Sequence, residues 1–208
     1  MNYLLKLVFF RFRNVTCFAV FFGIVLLGFQ ANASEKLFSL KIGPTWPSAI
    51  STSWDGELLY GSIIDKKVGF GIAADFLWNT SSVEIDTGTG LKRTIWDESS
   101  YMFPIMGFIL FDPVPQSMIH PVLKFEIGYN SLLYSRSQDT GIAASGYYYG
   151  LIIKIGADGL YNLGEQTAIF VGLDYQWADT RNAANASGYF YRRDMSGIGI
   201  RMGFRFLL

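Results

Sequence analysis

The feature that most constrains the fold is an alternation that returns eight times after residue 35. Runs of about ten residues put apolar side chains at every second position and small or charged ones between, the signature of a two-faced β-strand. The last run is the clearest. Ile198, Ile200, Met202, Phe204 and Phe206 share one face; Gly197, Gly199, Arg201, Gly203 and Arg205 share the other. The runs fall at about 36–43, 56–64, 68–78, 100–111, 121–130, 147–157, 167–178 and 195–207. Two are ambiguous. In 56–64 the pairs Leu58-Leu59 and Ile63-Ile64 break the alternation; in 100–111 both faces are apolar and Pro104 removes a ladder donor, so a bulge or shifted register is expected there.

The connections alternate in length. Asp65-Lys66-Lys67, the stretch from Asp112 to His120 and the stretch from Asp158 to Gln166 are short; residues 44–55, 79–99, 131–146 and 179–194 are long and polar. Short turns on one side and long loops on the other are the plan of an all-β, eight-stranded antiparallel up-and-down transmembrane barrel.

Composition decides which face points out. Charged residues are only 16% of the chain and aromatics 17%, against about 25% charge in a soluble domain. An eight-stranded barrel has an interior barely wide enough for side chains, so Ile, Met and Phe from every strand would overfill it. The glycine and charge face fits inside. Lys41, Lys124, Lys154, Arg201 and Arg205 are then expected to pair with Asp75, Glu126 and Asp174 as a lumen charge network. Trp78, Tyr101, Tyr129, Tyr149 and Trp177 fall at strand ends on the loop side, as an aromatic girdle would.

The N-terminus reads as a cleaved signal peptide, residues 1–33. Lys6, Arg11 and Arg13 precede the apolar run Val15 to Phe29, and Ala31-Asn32-Ala33 supplies a small-residue site for cleavage before Ser34. The barrel domain is then residues 34–208. Cleavage removes three basic and no acidic residues, taking the net charge from zero to −3, which gives no reason to expect nucleic acid. It also removes Cys17, the one cysteine, and with it thiol chemistry and disulfides.

A signal peptide, eight such runs and the closing segment from Gly197 to Leu208 resemble the small OmpA/OmpX-type outer-membrane barrels. The stretch from Gly159 to Gln166 is similar to their periplasmic turns. The resemblance implies a bacterial outer-membrane location, lipid and lipopolysaccharide as neighbours, insertion by the barrel-assembly machinery and a monomer. Family members commonly end in Phe; this chain ends in Leu208, with Phe206 two residues earlier.

The sequence offers little chemistry and implies no cofactor or metal. The one histidine, His120, is expected as a solvated turn residue. Glu84, Asp86, Asp97 and Glu98 read as solvated loop charge, and no calcium-loop spacing is present. Arg181, Arg192 and Arg193 are candidates for lipopolysaccharide phosphates, because guanidinium suits phosphate geometry. The expected function is a non-enzymatic outer-membrane β-barrel of the cell envelope, porin-like in build, serving as a structural or surface-interaction scaffold with loop-borne specificity. A narrow pore for small solutes and a lipid-active enzyme stand as alternatives.

Overall fold

The computed structural model describes residues 35–86, 92–138, 143–182 and 192–208; the expected signal peptide, residues 1–33, lies outside them. The strands are β1 Glu35–Pro47, β2 Ser53–Ile64, β3 Val68–Asp86, β4 Lys92–Phe111, β5 Ile119–Gln138, β6 Ala143–Asn162, β7 Thr167–Asn182, β8 Arg192–Asp194 and β9 Gly197–Leu207. β1 to β7 pair in sequence order, all antiparallel, and β9 pairs with both β1 and β7. β8 continues the line of β9 against β7. The N–H of Met195 donates to Ala178 O at 2.8 Å across the gap, so β8 and β9 are one interrupted eighth strand. The sheet closes on itself and pairs the backbone groups that hydrocarbon could not satisfy.

The ladder fixes the geometry. Leu37 pairs with Gly61, and the row continues through Gly71, Phe108, Glu126, Lys154, Gln176 and Gly197 to Pro47, ten residues further along β1. Eight strands with this stagger tilt by about 40° from the barrel axis.

Faces follow the alternation. Leu40, Ile72, Ile105, Ile155, Leu173, Ile200 and Met202 are exposed, while the interleaved charges are buried. In β2, Leu58 points out and Leu59 in. The ladder runs through Pro104 without a change of register, contrary to the expected bulge; the irregularity lies at Val83/Glu84. Both faces of β4 are apolar for a packing reason. Phe108 faces inward over Gly61 and Gly71, where an added Cβ would come within 2.9 Å and 2.8 Å of its ring. Two missing side chains on the neighbouring strands make room for one large one.

The strands are also longer than the runs. β3 to β6 have 19 or 20 residues, so most of 79–99 and 131–146 is hairpin and not irregular loop. The sequence there is polar on both faces, which hides the strand period. At the other end Asp65 and Lys66 take left-handed conformations (φ 51° and 58°), and the N–H of Lys67 closes the turn on Ile64 O at 3.0 Å.

Candidate functional site: a closed lumen and a layered outer wall

The charged residues of the interior cluster come from seven strands, all but β4 and β8, because each contributes its inward positions to one narrow space. Glu57 is the hub: its carboxylate meets Arg201 Nη1 at 2.7 Å, Lys124 Nζ at 2.7 Å and Lys41 Nζ at 3.4 Å. Arg201 also reaches Asp174 through Nε at 2.7 Å and Asp55 at 3.2 Å. Lys41 binds Asp158 at 2.9 Å and Lys124 binds Glu126 at 2.9 Å. Lys154 pairs with Asp75 and lies 3.2 Å from Asp55. Arg205 sits 3.8 Å from Asp158.

All eight charges singled out in the sequence lie in this cluster. Three members did not stand out there. Asp55 and Glu57 belong to the run with an ambiguous face, and Asp158 reads as a turn residue, yet it lies within β6 in phase with Lys154.

Apolar layers bound the cluster. On the loop side Leu77, Met102, Leu132, Ala178 and Met195 are wholly buried. On the turn side Leu37, Leu110, Val122, Leu160 and Phe170 fill the section, and the Phe170 ring lies 5.1 Å from Lys41 Nζ.

His120 departs from expectation. It is buried, not solvated, with Nε2 3.0 Å from Asp112 Oδ2 and Nδ1 2.9 Å from Ser117 O. The β4–β5 turn folds back over it, and Asn162 Nδ2 donates to Ser117 O at 3.1 Å. A carbonyl at Nδ1 requires a proton there, so the ring is held in one orientation as a plug of the turn-side mouth. Burial pushes the Asp112 carboxyl above its usual range, against the pull of His120.

Arg193 is a second correction. It points inward and is buried, with its guanidinium 3.3 Å from the Tyr134 ring centroid, so it faces no surrounding lipid. The Tyr134 hydroxyl donates to Glu98 at 3.1 Å, and burial pushes that phenol up. Glu98 is therefore a partner inside the mouth, not a solvated loop charge. Arg181 and Arg192 do face outward, opposite each other on β7 and β8, and Arg192 pairs with Asp179. Asp97 is exposed; the side chains of Glu84 and Asp86 lie outside what the structure describes.

The outer wall is layered. A level ring falls behind the ladder by about 1.25 residues per strand, given the ten-residue stagger over eight strands. On that basis Trp78, Tyr101, Tyr129, Tyr149 and Trp177 lie within about three residues of one level. Trp46 and Trp54, exposed on β1 and β2, join them. Tyr129 and Tyr149 stack at 6.0 Å, and Phe76 stacks with Trp78 at 5.2 Å. The apolar belt from this level down to Phe206 is about 25 Å tall, the height of hydrocarbon that such a barrel spans.

Apolar wall outside, paired charge within and full closure make this a membrane barrel. The fold is that of the small outer-membrane β-barrels. Among solved structures, the barrel is similar to Neisserial surface protein A (NspA), with a TM-score of 0.53, 12% identity and coverage of 83% of this chain and 95% of that one. It is also similar to the outer membrane protein OprG from Pseudomonas aeruginosa, with a TM-score of 0.51, 13% identity and coverage of 85% and 97%. No protein-family model and no curated protein sequence matches the chain.

Proposed function

We propose that the protein is a non-conducting, non-enzymatic scaffold of the bacterial outer membrane, exported by cleavage of residues 1–33, inserted by the barrel-assembly machinery and monomeric there. The observation that carries this reading is the contact between Lys154 on β6 and Asp55 on β2. These strands are four apart in a closed ring of eight, so the ion pair joins opposite walls. With apolar layers on both sides of it, the described residues block the lumen to a solute on this reading.

Enzymatic chemistry has little to stand on. His120, the chain's one histidine, is locked between Asp112 and Ser117 O in the turn-side mouth. Specificity then belongs to the loop-side end, where the β3–β4 and β5–β6 hairpins rise above the girdle. The outward guanidiniums of Arg181 and Arg192 suit a lipopolysaccharide phosphate, since Asp179 offsets only one of these two like charges side by side on one face and an added anion offsets the other. The test is single-channel recording on folded, inserted protein in planar bilayers. The scaffold reading expects silence; discrete conductance steps would replace it with the pore.

A further inference from the structure

An open groove of about 370 Å³ lies on the outward face of β3, β4 and β5. Ser81 and Glu98 contribute to its lining, and six further residues form two ladder rows: Thr80 with Ser99 and Ser135, and Ser82 with Asp97 and Ser137. All six face outward by the alternation of their strands, because inward neighbours such as Asn79, Ser100 and Tyr134 are buried. The next row down is Trp78, Tyr101 and Leu133, the upper edge of the apolar belt. The groove therefore continues the lipid-facing wall upward without a break, to the depth where the headgroups of surrounding lipids sit. It is a depression because its side chains are short while Tyr101 and Leu133 beneath it are large.

We propose that this groove binds the core sugars that extend beyond the lipid A disaccharide of the glycolipid surrounding the barrel. Five hydroxyls each donate and accept, and Asp97 accepts, which matches the mixed donor and acceptor edge of a hexose. None of the six is a cation, so a phosphate has no counter-charge there and is repelled by Asp97. The phosphate-suited pair Arg181 and Arg192 lies on the other side of the barrel, β8 being four strands from β4. Core sugars and headgroup phosphates thus meet different walls. The inference rests on the outer-membrane reading above.

The test uses the full barrel chain folded into three bilayers: phosphatidylglycerol, phosphatidylglycerol with lipid A, and phosphatidylglycerol with a lipooligosaccharide carrying core sugars. Thermal unfolding is followed by the loss of heat-modifiable migration. The lipooligosaccharide is expected to raise the midpoint over lipid A by about 3 °C. The triple variant Thr80→Val, Ser99→Ala, Ser135→Ala, and separately Ser99→Ala, should match the wild type in lipid A and lose part or all of that increment. Equal increments in wild type and variants, or none in the wild type, would overturn the proposal. So would the same increment from soluble core oligosaccharide added to phosphatidylglycerol, which would make the groove a site for free glycans. Failure to insert into all three bilayers would instead sink the membrane reading on which the inference rests.

Discussion

Lys154 and Asp55 stand on opposite walls of the barrel, yet Lys154 Nζ lies 3.2 Å from Asp55 Oδ2. Their reach across the lumen measures how narrow it is. The interior around this contact is a buried core built from charge. Such a core is costly to disturb, because each ion is out of water and depends on its partners.

The hub is the most sensitive point. Glu57→Gln leaves Arg201, Lys124 and Lys41 around a neutral group. Stability in urea titrations of the vesicle-inserted protein is expected to fall by about 3–5 kcal/mol. The variant should remain electrically silent, since the layers of Leu77 and Met102 above and Leu110 and Val122 below are untouched.

Packing on β4 makes a separate prediction. Phe108→Ala empties the space over Gly61 and Gly71, where neither glycine has a side chain to collapse into the void. The expected loss is about 3–5 kcal/mol in the same titration. A loss under about 1 kcal/mol would mean that Phe108 does not fill this space.

The outer wall is read by depth. Arg in place of Ile200, at the middle of the belt, should cost about 2–4 kcal/mol, while Ser99→Arg, above the girdle, should cost about 0–1. Equal costs at the two positions would remove the belt from the account.

Asp112 supplies a pH dependence. Its carboxyl in the folded protein is raised above its unfolded value, so the folded state holds the proton more tightly. Stability contributed by this group is therefore greatest at acid pH and declines as pH rises from the unfolded value through the raised folded one. Asp112→Asn should flatten that part of the profile, measured as the urea midpoint against pH.

The β2–β3 turn offers a gain. Lys66 holds a left-handed conformation that glycine adopts freely, and Lys66→Gly should stabilise by about 1 kcal/mol.

Much of this was legible in the sequence, for reasons particular residues make plain. Where one face meets lipid and the other a narrow interior, as from Gly197 to Phe206, the alternation is clean and gives both strand and orientation. It fails where the two surroundings are alike. Thr80, Ser81 and Ser82 are polar on both faces because both are wet, so a strand there looks like a loop. Met106 and Phe108 are apolar like their outward neighbours because the lumen opposite Gly61 and Gly71 needs filling, so a regular ladder looks like a bulge. The site was legible in part. Lys41, Lys124 and Arg201 are visible as charges in phase with glycines. Asp158, and the burial of His120 and Arg193, depend on where hairpins end and which way the chain folds over the mouth, which no local pattern encodes.

Gel migration of the membrane-extracted protein before and after boiling tests the central claim of a closed membrane barrel most directly. The account predicts two positions: a faster, compact form without heating and a slower, unfolded form after boiling. A single position at both temperatures, from protein that stays soluble without detergent, would contradict it.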